Sequence, residues 1–275
     1  MKFGYFCNTT NWTHKPYHQL LDETKEITEY CDKNKWNSIW FTEHHFNHEG
    51  MESCTNPLML GADAAARTNN IRIGQAANVI TFHNPIRLAE DIATLDQLSK
   101  GRVEVGVARG VYGREAINLN KEADLKDQAK NFRLFAETLE ILKKAWSEKF
   151  FNHDGEFYTY PSPNYVWQHD MSPPSEEFMN MEDSTMKKIS VLPKPYQNPH
   201  PPIHQVVDGI RSIEWAAENN INVIMWIPTV KALKIRFEAY KNKRSEVTKK
   251  NVPLGEGVTL VRDMFVADTM EEAKE

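Results

Sequence analysis

The residues best equipped for chemistry stand at Glu43-His44-His45, a carboxylate and two imidazoles directly after the apolar run Ile39-Trp40-Phe41-Thr42. Such a run, rich in β-branched and aromatic residues, reads as a buried strand. A neutral imidazole near physiological pH can give or take a proton. The same residues also fit a satisfied strand-end pair or, with His48, a metal site. Successive strand side chains point to opposite faces, so His44 and His45 are not expected to share one ion while the strand persists. Arg109, just before Gly110-Val111-Tyr112-Gly113, offers a planar guanidinium that matches a phosphate with two parallel hydrogen bonds. The turn Asp208-Gly209-Ile210-Arg211-Ser212 can present helix N-terminal amides to an anion, with ordinary helix capping as the plainer role.

These side chains need a scaffold that delivers them to one place. Strand-like runs at Lys2–Cys7, Ser38–Thr42, Ile71–Ile80 and Arg102–Ala108 alternate with helical periods over His18–Asn34, Leu58–Arg67, Ile86–Ser99 and roughly Asp127–Trp146. Asn84-Pro85 marks a helix start and Gly101 a helix end. This alternation predicts βαβ units and a parallel sheet. The pattern breaks at about 150–190, with a hairpin signal at Asp154-Gly155 and then an acidic, aperiodic stretch read as a surface excursion or lid. It resumes with strand Ile203–Val207, helix Ile210–Asn219, strand Val223–Ile227, helix Val230–Lys243 and strand Val258–Val266. Thr269 and Glu272 have the spacing of a capping box. That makes seven strands. A parallel barrel closes with eight, so the eighth is expected to be missing from a truncated chain, or the barrel is left open or closed by a partner.

A formal net charge of −5 argues against a nucleic-acid partner. No stretch approaches the roughly 20 apolar residues of a membrane span. The start, Met1-Lys2-Phe3-Gly4-Tyr5-Phe6, runs straight into a strand and does not read as a signal peptide. Cys7, Cys31 and Cys54 are odd in number and lack metal spacing, which suits a reducing cytoplasm.

Motifs along nearly the whole chain carry a family likeness: Met1–Phe6, Glu43-His44-His45-Phe46, Ala76-Ala77, His83-Asn84-Pro85-Ile86-Arg87-Leu88-Ala89-Glu90-Asp91, Lys100-Gly101-Arg102, Arg109-Gly110-Val111-Tyr112, Pro201-Pro202-Ile203 and Glu214-Trp215-Ala216-Ala217. Together they resemble the bacterial luciferase-like flavin monooxygenases, in particular the luciferase α subunit. The resemblance implies an α/β fold of the (β/α)8 TIM-barrel type, forming a single domain over residues 1–275 with an insertion at about 150–190 before strand five. It implies a two-component monooxygenase in which a separate flavin reductase supplies reduced FMN. O2 then forms a C4a peroxide that oxygenates an aldehyde or other small apolar compound.

By the same resemblance His44 is the catalytic proton-transfer residue, with His45 packing or orienting it. Ala76 and Ala77 flank a non-proline cis peptide beside the flavin ring. Arg109 matches the arginine that holds the flavin phosphate, with Arg133 as a looser match. The turn from Asp208 is the second anion element, where Gly209 lets the backbone approach and Ser212 with the helix amides can hold phosphate, and all three are counted as cofactor-binding. Phe6 and Trp226 line the flavin ring, although core packing is the usual role of aromatics, and Val206 is counted with them as cofactor-binding. No metal is implied. Ala108 replaces a reactive cysteine of luciferase, so light emission does not follow. The excursion at Phe150–Lys188 and the loop Glu49–Asn56 are expected to shape the substrate pocket. A homo- or heterodimer is expected through helices 58–67 and 86–99, whose small residues permit close approach. A deazaflavin (F420)-dependent hydride-transfer enzyme and a non-catalytic flavin-binding partner subunit are the alternatives.

Overall fold

The computed structural model describes residues 1–226 and 229–274. The chain divides into two compact units, Met1–Pro202 and Ile203–Glu275.

In the first unit, β1 (Gly4–Cys7), α1 (Tyr17–Lys33), β2 (Ser38–Phe41), α2 (Pro57–Arg67) and β3 (Arg72–Gln75) alternate as expected. The strands pair in parallel, with Tyr5 beside Ile39 and Ile39 beside Ile73. The third strand was expected to run unbroken from Ile71 to Ile80. Instead it stops at Gln75, turns through a cis Ala76–Ala77 bond, and resumes as β4 (Asn78–Val79). A short 3-10 turn, Ile80–Phe82, then leads to α3 (Pro85–Ser99). Asn84 caps α3 by accepting the amides of Ile86 and Arg87, and Pro85 occupies the first turn, where no amide donor is needed.

Strand β5 (Val103–Ala108) pairs with β3 through Ile73 and Val103, and with β4 through Asn78 and Val107. Ile39, Ile73 and Val103 form a fully buried row across these strands. Burying each such side chain contributes roughly 1.5–3 kcal/mol. Gly106 sits where a side chain would run into the Gln75 carbonyl, so only glycine lets β5 pass this close to the bend. The Asn78 amide locks the approach by donating to the Gly106 carbonyl at 3.1 Å and to Gln75 Oε1 at 3.2 Å.

Two turns of helix that carry no apolar stripe, α4 (Gly113–Leu119), follow β5. The long α5 (Gln128–Ser147) buries Leu134, Phe135, Leu139, Leu142 and Trp146 at helical spacing. The Trp146 indole donates to the Ala89 carbonyl at 3.0 Å and pins α5 to α3.

The excursion is more ordered than its sequence suggests. The Asp154-Gly155 signal is realised as an antiparallel hairpin of β6 (His153–Asp154) and β7 (Thr159–Tyr160). The Glu137 carboxylate of α5 accepts the amides of Glu156, Phe157 and Tyr158 and the His153 imidazole, which fixes the turn. Isolated bridges Phe151–Ile189, Val166–Thr185 and Met179–Met186 then fold the acidic stretch back on itself. Phe151 and Met179 are buried.

The second unit is β8 (Ile203–Val207), α6 (Ile210–Glu218), β9 (Asn222–Trp226), α7 (Val230–Thr248) and β10 (Val258–Val261). Its strands are parallel, β8 to β9 and β9 to β10, and α6 packs on α7. Helix α7 runs past the expected end at Lys243, and β10 stops at Val261 rather than Val266. The expected strand end at Ile227 lies outside the described residues. The Thr269 hydroxyl accepts the Glu272 amide at 3.2 Å, although no regular helix follows among the described residues. These residues also carry no strand after β10.

Candidate functional site

Strand β2 leaves its ladder at Phe41, so the alternation that should have separated His44 from His45 no longer applies. Thr42 and Glu43 remain buried in irregular backbone. Both histidines then meet carboxylates, but in different ways.

Glu43, with 2% of its side chain exposed, is saturated. Its Oε1 accepts His45 Nε2 at 3.1 Å and His83 Nε2 at 2.7 Å, and its Oε2 accepts the Val79 amide at 2.6 Å. Burial pushes the Glu43 carboxyl up, but these three donors outweigh it and hold the group below the usual carboxylate range. Burial lowers His83, but the bond to Glu43 and its charge outweigh that and raise the imidazole above its ordinary value.

His44 is 18% exposed and loosely held. Its Nδ1 lies 3.5 Å from Glu115 Oε1 and 3.6 Å from Glu52 Oε2, just beyond hydrogen-bond length. Neither His44 Nδ1 nor Glu52 Oε2 has a hydrogen-bond partner among the described residues. The Tyr112 ring tilts against the His44 ring at 5.5 Å between centroids. Burial, a hydrogen bond to Glu52 and the charge of Glu115 push the Tyr112 phenol up to about 12, so it is a donor at neutral pH. Glu115, 1% exposed, also accepts the His45 amide at 2.6 Å and so ties α4 to the end of β2. The metal alternative gains no support: His48 is 92% exposed, and no group among the described residues could hold a metal ion.

Arg109 follows β5 on the loop that ends in Tyr112. Its guanidinium reaches the Gln128 carbonyl at 3.4 Å and Asn131 Oδ1 at 3.5 Å, and lies 5.7 Å from the Phe132 ring centroid. Burial alone shifts it, downward, and it makes no ion pair among the described residues. Arg133, the looser match, is the solvated helix arginine of the plainer reading and pairs with Glu156 at 2.8 and 3.0 Å. Ala76–Ala77 is cis, as the resemblance implies. Phe6 lies on β1 beside Trp40 of β2 and is half-buried. A cleft of about 390 Å³ is walled by Phe82, His83, Leu119, Asn120, Leu134 and Phe157. His83 reaches it, whereas His44 and Arg109 do not line it.

In the second unit Val206 and Trp226 sit near the carboxyl ends of β8 and β9 and are substantially exposed. The capping role considered for Asp208 and Ser212 is not what forms. Gly209 is the N-cap, no side chain caps α6, and Asp208 pairs with Arg236 at 2.7 Å. A side chain at Gly209 would meet open space.

The small residues of α2 are used within the chain. Gly61, Ala64 and Ala65 are buried, and a side chain at Gly61 would press on Leu95 and Ile73. Their close packing is therefore accounted for without a second subunit.

Sequence reasoning missed Glu52, Glu115, Tyr112 and His83 as members of these clusters. His83 stood inside a quoted motif. Glu52 lies in a loop with no period, and Glu115 in a helix too short to show one.

Comparison with known proteins agrees with this architecture. The description "luciferase-like monooxygenase" matches residues 1–275. The chain is 31% identical over 225 residues to an alkanal monooxygenase beta chain of Photorhabdus laumondii, covering 82% of this chain and 59% of that protein. It is 27% identical over 261 residues to the oxygenase component of a flavin-dependent trigonelline monooxygenase of Acinetobacter baylyi, covering 93% and 62%. It thus spans about six-tenths of the length of these curated relatives. Among solved structures, the oxygenating constituent of 3,6-diketocamphane monooxygenase from Pseudomonas putida, in complex with FMN, superposes with a TM-score of 0.80 at 23% identity, covering 100% of this chain and 70% of that one. The fold is the parallel α/β fold of the TIM-barrel type. By the match along its whole length, this chain belongs to the luciferase-like monooxygenase family.

Proposed function

We propose that this chain is the oxygenase of a two-component flavin monooxygenase, taking reduced FMN from a separate reductase and using O2 to oxygenate an aldehyde or other small apolar organic compound. One observation carries the reading. The loop after β5 bears a half-buried arginine with no carboxylate partner among the described residues, and three residues later presents Tyr112 against His44. A guanidinium without a carboxylate partner among the described residues, on the loop whose Tyr112 packs on a loosely held imidazole, fits a cofactor with a phosphate tail and a reacting centre that exchanges protons.

FMN, when bound, supplies the electrons and the activation of O2. The chain's own residues would do the rest. Arg109 neutralises phosphate. The backbone bend at Ala76 and Ala77 offers a wall without bulk. His44 holds or accepts a proton at Nε2. Phe157 and Tyr158 of the excursion wall the cleft beside His83 and are assigned to the organic substrate. Phe6, Val206, Asp208, Gly209, Ser212 and Trp226 are assigned to the flavin on the family resemblance, with Asp208 first having to leave Arg236.

Homo- or heterodimerisation through 58–67 and 86–99 rests on the same resemblance, and exposed Met59 and Leu98 are apolar side chains these helices still offer. No helix among the described residues is long and apolar enough to cross a membrane, and a cytoplasmic location is part of the proposal.

Two rival readings have a specific observation each. An F420-dependent secondary alcohol dehydrogenase superposes with a TM-score of 0.68 at 17% identity. The relative at 31% identity is a beta chain, which keeps the partner-subunit reading in play. Anaerobic titration with reduced FMN and reduced F420, followed by air, a panel of aliphatic aldehydes and analysis for oxygenated product, separates the three. The proposal expects tight reduced-FMN binding and oxygenated product. Binding of F420 alone, or flavin binding with no product from any compound, overturns it.

A further inference from the structure

We propose that Glu52 and Glu115 are positioning residues for His44: together they hold its imidazole with the proton on Nδ1, so that Nε2 carries the lone pair and acts as the base. This deepens, and rests on, the assignment of His44 to proton transfer.

The argument is geometric. Two carboxylate oxygens from separate segments, the 49–56 loop and α4, converge on one ring nitrogen at 3.6 and 3.5 Å. Glu115 is 1% and Glu52 14% exposed on the side chain, so water does little to screen them. A carboxylate only accepts, so the nitrogen facing it must carry the hydrogen. The His44 amide donates to the Cys54 carbonyl at 2.7 Å, which fixes the backbone from which the ring projects. The Tyr112 ring packs on the His44 ring. Arg114, the nearby cation, is occupied by Glu49 at 2.7 Å.

Both His44 contacts are a few tenths of an ångström long. Catalytic hydrogen bonds are often long without substrate and tighten when the site fills. Neither carboxylate is needed to hold the ring in the core, since neither bonds it at this spacing. Glu115 Oε1 is also held by the His45 amide at 2.6 Å; what orientation of the ring explains is the approach of a second carboxylate, Glu52, to the same nitrogen.

The contrast with His45 and His83 sharpens the inference. Each meets Glu43 through Nε2. The protein thus presents opposite faces of its imidazoles to carboxylates, Nδ1 at His44 and Nε2 at the other two.

The test is nitrogen NMR of 15N-histidine-labelled protein without flavin, with the His44 signals assigned by their loss in His44→Asn. The wild type should show His44 as the Nδ1–H form when neutral. Glu52→Gln with Glu115→Gln should move it toward the Nε2–H form that free imidazole side chains favour, and Glu52→Gln alone should move part of the population. Glu52→Gln changes a loop side chain and remains informative if the double variant does not fold. An Nε2–H form in the wild type, or the same form in all variants, overturns the proposal. In parallel, single-turnover oxidation of reduced FMN with aldehyde should slow by about 10- to 100-fold in the Gln variants, the range typical for loss of a histidine's orienting partner. If His44→Ala leaves that rate unchanged, the proton-transfer reading fails while the tautomer result still stands or falls by itself.

Discussion

Glu43 and His44 are neighbours in the chain, yet they anchor two carboxylate–imidazole clusters of opposite character. The Glu43 cluster is buried and saturated: two imidazoles and one backbone amide converge on a single carboxylate at 2.6 to 3.1 Å. In the His44 cluster two carboxylates approach one imidazole nitrogen at 3.5 and 3.6 Å without completing a bond to it, although Glu115 accepts the His45 amide. A buried polar network with every partner satisfied rigidifies its surroundings, and one left incomplete is expensive unless it serves a purpose. The first ties the end of β2 to β4 and to the start of α3. The second leaves His44 Nδ1 and Glu52 Oε2 without a hydrogen-bond partner among the described residues. On the proposed function, the tight cluster builds the scaffold and the loose one is assigned the proton chemistry.

Breaking the loose cluster should have the largest effect. His44→Ala is expected to lower oxygenation by roughly 10²- to 10⁴-fold, the usual contribution of a positioned acid or base, while reduced-FMN affinity and thermal stability change little. Single-turnover product yield, flavin titration and calorimetry check the three parts.

The tight cluster should respond the other way. Glu43→Ala removes the buried acceptor of three donors and should cost about 3 kcal/mol of stability, measured by urea unfolding. The pH dependence has a definite sign. Glu43 titrates lower in the folded chain, so its contribution is present above the unfolded value of about 4.3 and is lost as pH falls through the folded one. His83 titrates higher, so its contribution is complete below about 6.5 and is lost as pH rises through its folded value. The stability difference between wild type and Glu43→Gln should therefore peak between about pH 4.3 and 6.5 and shrink on either side.

Arg109→Met comes next. Losing a charge-assisted pair with phosphate should weaken reduced-FMN binding by about 10- to 100-fold, or roughly 1.5–3 kcal/mol, with stability unchanged. Least of all, Arg133→Ala removes an exposed pair and should shift stability by about 0.5 kcal/mol or less, with no effect on flavin affinity. A large loss of affinity there would return Arg133 to the phosphate site.

The strand and helix order was legible because apolar periods of two and 3.6 run the length of most elements, and Asn84-Pro85 and Asp154-Gly155 mark real boundaries. The break of the third strand was not read from periodicity, although Gly74, Ala76, Ala77 and Asn78 are weak strand formers and the family resemblance implied the cis bond found there. The excursion resisted reading because isolated bridges leave no period. Of the candidate site, the two residues nearest strand ends, His44 and Arg109, could be proposed from the sequence. Glu52 and Glu115 were not, because an acidic residue on a loop or a two-turn helix looks solvated until the fold buries it. His44 and His45 do meet different carboxylates, as expected, although the ladder ends at Phe41 and strand alternation is not the reason.

The most direct test of the central claim compares wild type, His44→Ala and Glu43→Gln after loading with reduced FMN. Each is mixed with ¹⁸O2 and an aldehyde panel, and ¹⁸O in the carboxylic acid product is counted per flavin oxidised. The account predicts incorporation in the wild type and in folded Glu43→Gln, and loss of it in His44→Ala at equal flavin occupancy. Full incorporation by His44→Ala would contradict it.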